Sequence, residues 1–269
     1  MKEGVLASNE AATRIVGGQM MVTSVLGLLI NLFMFYHFTS CPRTSFRVLC
    51  ASKTVSNSLE LLIYLTYIGP TNLLFSEIGP EILSNYLNQA QGFGLFLQGP
   101  VTQLLITVNR FLVVWLSPTS TPKYSVRVTV AVLGGSWLWA LWFSTLFGLP
   151  ADCLVPFKLD EYVETPCNQQ LIRLMSIAVL LLGVVTNSMN LVIAAKLIWT
   201  SKRQKSLTSE AAKKRRKSSV RFFLQSCFQD WIYVLEVAHN LVASSYCETD
   251  NCVLLTTMGA DVMVYGMDG

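Results

Sequence analysis

Seven predominantly apolar stretches of this 269-residue chain have about the length an α-helix needs to cross a hydrocarbon core about 30 Å thick. They run at about 15–38, 48–75, 92–116, 128–149, 171–199, 220–243 and 253–269. A backbone inside lipid has no water to bond, so such segments form helices that satisfy their own N–H and C=O groups. The first stretch is too long for a signal-peptide core and is expected to remain as a span. The last covers about 17 residues, about 25 Å of helix, and is expected to be a shortened crossing. Charge is correspondingly scarce: 13% of residues are charged, where a soluble domain carries about a quarter. The chain reads as one all-α membrane domain over 15–269, a seven-transmembrane helix bundle with a truncated last helix, preceded by a tail over 1–14. A soluble enzyme is the class this argues against.

Direction follows from Lys and Arg, which accumulate in cytoplasmic loops near span ends. Arg43, Arg47 and Lys53 follow the first stretch, and Lys123 and Arg127 follow the third. The connection after the fifth holds Lys202, Arg203, Lys205, Lys213, Lys214, Arg215, Arg216 and Lys217 against Glu210. The alternate connections are acidic, with Glu77 and Glu81, then Asp152, Asp160, Glu161 and Glu164, then Glu248 and Asp250. The cationic side is expected inside, which puts the amino terminus and the acidic loops outside. The net charge of +4 then has a local origin beside the bilayer, where basic residues contact anionic lipid, and needs no nucleic acid.

Polar groups buried in a span cost several kcal/mol if unpaired, so those present should face the bundle interior. Asn31, Asn57 and Asp268 all fall in the inner half of their spans and can form a polar knot joining the first, second and seventh helices. Each can equally bond a neighbouring carbonyl and serve packing alone. The third span closes on Asn109, Arg110 and Phe111. The Arg110 guanidinium can bond across to carbonyls of neighbouring helices and be released when they part, or act as a plain snorkelling anchor.

The sixth span carries Gln225, Gln229, Asp230, Glu236, His239 and Asn240, more polarity than a lipid-facing helix tolerates. Gln225, Gln229 and Asp230 join the expected intramembrane polar network. Glu236 and His239, with Tyr233, Asp261 and the outer third-span Phe93 and Phe96, form a candidate ligand pocket, although aromatics at helical spacing also pack helices.

Cys153 and Cys167 flank the second outer loop, and Cys247 and Cys252 bracket the third. Both pairs are disulfide candidates in an oxidising exterior. Two histidines near opposite membrane faces, with no phosphate loop, no His-Glu-x-x-His and no nucleophile elbow, leave no catalytic, metal or cofactor site to expect.

Several strings together resemble the nematode serpentine receptors of class X. They are Gly27-Leu-Leu-Ile-Asn31, Val55-Ser-Asn57, Asn109-Arg110-Phe111, the run from Phe223 through Gln225 and Gln229 to Asp230, and Asp268-Gly269. The likeness covers about 17–269 and implies a rhodopsin-like bundle and a chemosensory, G-protein-coupled receptor at the plasma membrane. A small molecule or peptide would bind outside and a heterotrimeric G protein would be activated inside. The resemblance puts Arg110 in the place of the arginine of the Asp-Arg-Tyr motif, with Asn109 where the acid would be and no ion pair between them. The coupling surface would comprise Asn109, Arg110 and Phe111 with Arg215, Arg216 and Arg221 of the basic loop.

The bilayer, an unidentified ligand, a G protein and further receptor copies are the expected partners. The rival class is a transporter or channel subunit, which would show repeated, broken helices; Pro70, Pro100 and Pro150 form no such repeat. A nonsignalling shortened receptor copy is the third reading.

Overall fold

The computed structural model describes residues 2–115, 125–145, 153, 166–203, 227, 231, 234–235, 238–239 and 258–267. Among them every regular element is helical. The first helix, α1 (Lys2–Ser40), begins well before the apolar stretch, and an ion pair between Arg14 and Glu10, one turn apart at 2.6 Å, supports its outer part.

The next helix, α2 (Ser45–Ile63), is capped by Thr44, whose extended backbone lets its hydroxyl accept from the Arg47 N–H at 3.3 Å. The connection between α1 and α2 is therefore only 41–44, and Arg47 and Lys53 lie in the helix rather than in the loop that charge counting suggests. A π-helical turn (Tyr64–Ile68) and α3 (Gly69–Leu74) continue the same rod. The Gly69 N–H reaches back five residues to the Tyr64 carbonyl. That wider turn just precedes Pro70, which has no N–H to give and whose ring would crowd an ordinary helical turn.

The third rod repeats the device. It comprises α4 (Glu81–Gln89), a second π turn (Ala90–Leu95) and α5 (Phe96–Trp115), which contains Pro100. Beyond it stand α6 (Ser125–Thr145), α7 (Pro166–Arg203) and α8 (Met258–Met267). Pro166 opens α7, where a proline's missing donor does no harm, and Cys167 beside it is joined to the buried Cys153 in a disulfide with Cα atoms 5.1 Å apart. Cys153 is thereby tethered to the start of α7.

Three apolar clusters hold the rods together. Val16 and Met20 of α1 meet Leu61, Tyr64, Tyr67 and Ile68 of the second rod and Val262 and Tyr265 of α8. Phe93 and Leu97 meet Met175 and Val179 of α7. Leu49, Ile106 and Leu133 join α2, α5 and α6.

Close helix approach depends on small residues. A Cβ at Gly17 would collide with the Leu73 backbone nitrogen, and one at Gly27 would lie 2.9 Å from the Gly266 Cα. The polarity of the whole is inverted relative to a soluble protein. Asn31, Asn57, Glu60, Gln89, Gln98 and Thr107 are fully buried, while Phe33, Leu138 and Leu191 are among large apolar side chains left more than half exposed. Among the described residues three helices, Glu10–Ser40, Val126–Thr145 and Gln170–Thr200, are long and apolar enough to cross a membrane by length and composition.

Candidate functional site

The end of α5 gathers the groups most suited to a switch. α5 is helical through Asn109, Arg110 and Phe111, and all three are partly buried. Arg110 does not lie against an acid at position 109. Its guanidinium carbon sits 5.1 Å from the ring centroid of Phe46 in the first turn of α2, a cation–π contact worth about 0.5–2 kcal/mol depending on desolvation. Phe111 stacks on Trp115 at 5.5 Å. Two turns up α5 from Arg110, Lys53 of α2 donates to Gln103 Oε1 at 2.6 Å, fastening the same two rods a second time. Trp137 Nε1 donates to Ser52 Oγ at 2.8 Å and ties α6 to α2. Thr107 Oγ1 and Asn190 Oδ1 approach to 3.5 Å between α5 and α7. Among the described residues α2, α5, α6 and α7 are thus each joined to a neighbour by polar side chains that lipid could not solvate.

Asn31 and Asn57 are both fully buried. Asn31 Nδ2 donates to the Gly27 carbonyl at 2.9 Å, while its Oδ1 has no hydrogen-bond partner among the described residues. Gly27, Leu61 and Gly266 meet at one crossing of α1, α2 and α8, with a Cβ at 27 lying 2.8 Å from Leu61 Cδ1. Asn31 stands one turn from Gly27 and Asn57 one turn from Leu61, so both flank that crossing. Asp268 lies outside the described residues, as do Gln225, Gln229, Asp230, Tyr233 and Glu236, the basic-loop Arg215, Arg216 and Arg221, and Cys247 and Cys252.

Of the outer aromatics, Phe93 is buried and Phe96 half-buried, both packed toward α7 around Met175 and Val179. His239 is exposed, and Asp261 lies in α8, where only the backbone is described. Val234 approaches α7 at Gly183, where a Cβ would lie 2.5 Å from Val234 Cγ2.

Residue patterns alone pass over Lys53, Gln103, Phe46 and Glu60. A usable signal existed for two of them. Lys53 stands five residues inside the second apolar stretch and Glu60 near its middle, and an intramembrane charge marks an interior, paired position by default. Phe46 and Gln103 carry no such mark, because only the packing of α2 on α5 gives them their partners. The outer ends of the same two rods are joined by Gln91 Nε2, which donates to the Tyr64 hydroxyl at 2.8 Å; the two π turns carry these residues.

Squid rhodopsin, known from a crystal structure, is similar to this chain with a TM-score of 0.72 and 14% sequence identity, covering 96% of this chain and 79% of that one. At that identity the likeness concerns the fold, which is a rhodopsin-like helix bundle. No curated protein matches the sequence. The model of the serpentine type 7TM GPCR chemoreceptors, Srx, matches residues 21–269, nearly the whole chain. The chain therefore belongs to the serpentine 7TM chemoreceptor family Srx.

Proposed function

We propose that this receptor lies in the plasma membrane with its amino terminus outside, binds a small molecule or peptide at the outer end of the bundle, and activates a heterotrimeric G protein inside. Activation is a population shift: the ligand favours an arrangement in which the inner ends of the helices around α5 part. The carrying observation is the Arg110–Phe46 contact. The Phe46 ring takes a guanidinium that the asparagine at 109 cannot pair, and parting this contact needs no proton transfer at position 109.

Once released, Arg110 and Phe111 face the G-protein α subunit together with the basic segment that holds Arg215, Arg216 and Arg221. Asn31, Asn57 and Asp268, with Gln225, Gln229 and Asp230, form the polar interior that rearranges between the two states. At the outer end, Glu236, His239, Asp261 and Tyr233 contact the ligand, and Phe93 and Phe96 brace the wall by packing on α7. Loss of one restraint on Arg110 shifts the basal population, which permits a test without a known ligand.

In proteoliposomes holding the full chain and a purified heterotrimeric G protein, Phe46→Ala should raise basal nucleotide exchange about two- to fivefold, the range that about 0.5–1 kcal/mol of lost contact corresponds to. Arg110→Ala should bring exchange down to the receptor-free background at equal protein content. Undiminished exchange by the Arg110→Ala protein would remove Arg110 from the coupling surface.

A further inference from the structure

Near the far end of α7, the Lys196 ammonium sits 4.7 Å from the ring centroid of Trp115, the last residue of α5, and 5.8 Å from that of Trp199, one turn onward. Both indoles face outward, Trp115 at 49% and Trp199 at 67% exposure. No acid among the described residues pairs with Lys196. A lysine on a lipid-facing surface normally sweeps the interface on a flexible stem. Here two exposed rings hold its head between α5 and α7.

The depth is that of the headgroups. Trp115 lies five residues past Arg110, about 7 Å further toward the aqueous phase, and tryptophan concentrates at that level of a bilayer. The chain runs on from Thr200 into Lys202, Arg203 and Lys205, so the local field attracts anions. A cation held in place by two exposed indoles, with no acid paired to it among the described residues, is complementary to a phosphate diester.

We infer that the Trp115–Lys196–Trp199 cleft binds the phosphate of an anionic phospholipid of the inner leaflet. The assignment to that leaflet rests on the orientation proposed above. Because the cleft joins the ends of α5 and α7, the lipid bridges two helices whose separation the switch requires.

Native mass spectrometry of the detergent-purified full chain, titrated with phosphatidylserine or with phosphatidylcholine of the same acyl chains, tests this. Wild type should retain phosphatidylserine in preference to phosphatidylcholine. Lys196→Gln should weaken phosphatidylserine binding about fivefold, as expected for one basic residue near a charged surface, and leave phosphatidylcholine unchanged. Lys196→Arg should keep the preference, and the Trp115→Leu/Trp199→Leu pair should reduce it with the lysine intact, a second route should Lys196→Gln fail to fold. Wild-type phosphatidylserine affinity in the Lys196→Gln protein, or equal retention of both lipids by wild type, would overturn the site. Displacement of the lipid by inorganic phosphate would make it a free-anion site and overturn the lipid assignment. An amino-terminal tag found inside the cell alongside a positive lysine result would instead overturn the orientation and leave the lipid site standing.

Discussion

Gly17 and Gly18 are neighbours on α1 with opposite surroundings. A Cβ at 17 would meet backbone on several sides, including the Gly69 oxygen at 2.7 Å and the Asn72 carbonyl carbon at 2.9 Å, whereas a Cβ at 18 would meet only Leu73 Cδ1 at 3.9 Å. Backbone cannot swing aside as a side-chain tip can, so α1 would have to move off the second rod. Gly17→Ala should therefore destabilise by about 1–3 kcal/mol, the usual penalty of overpacking. Gly18→Ala should be neutral or stabilising by up to about 1 kcal/mol through helix propensity. Thermal unfolding midpoints of the two proteins in the same detergent give the comparison, and equal losses would mean that the α1 crossing is not where the glycine matters. Arg110 belongs to the same scale: the asparagine at 109 tells that no ion pair forms there, but not that a phenylalanine sixty-odd residues earlier takes the guanidinium.

At the scale of elements, the inner halves of α2 and α5 are fastened by the Lys53–Gln103 hydrogen bond at 2.6 Å and the Arg110–Phe46 contact. Lys53 is half-buried, and taking away the Gln103 acceptor leaves part of its desolvation cost uncompensated. Gln103→Leu alone should destabilise by about 1.5–3 kcal/mol, while Lys53→Leu combined with Gln103→Leu should recover most of the loss, since an apolar pair of similar volume often substitutes for a buried charged contact. A double-mutant cycle on unfolding midpoints measures the coupling, and additive losses would show that the two side chains act independently.

The π turns belong here too. Each precedes a proline in its rod, and each carries one member of the Gln91–Tyr64 bond. Widening the helix to accommodate a proline also turns a side chain toward its neighbour, so helix irregularity and interhelical contact share one cause.

Across the whole molecule, the distribution of polarity is that of a protein whose solvent is lipid. Amides and hydroxyls are turned inward, several onto backbone carbonyls of their own helix, and leucines, tryptophans and phenylalanines cover the outside of α1, α6 and α7. The disulfide from Cys153 to Cys167 closes an acidic segment against the start of α7, at the opposite end of that helix from Lys196. Orientation in the cell has a direct test. An epitope at the amino terminus should be labelled on intact cells, and an epitope inserted within 204–212 only after permeabilisation; the reverse pattern would invert every inner and outer assignment made from Lys and Arg.

Periodicity in an apolar chain carries information of one kind, namely which segments cannot stay in water, and from this the helical class, the number of rods and their alternation are legible. Charge counting adds a direction, because cationic loops resist crossing a bilayer. Neither reaches the interior. Lys53, although inside the second apolar stretch, counts with the connector charges until the Thr44 cap places it in α2, and the apolar stretches do not tell that Phe93 and Phe96 pack toward α7. Gln103, Phe46 and Trp115 carry no signal at all, since an amide or a ring acquires its role from whatever a second helix sets beside it. Burial in lipid is written along the chain, residue by residue; contact between helices arises between positions far apart in it, and so awaited the packed bundle.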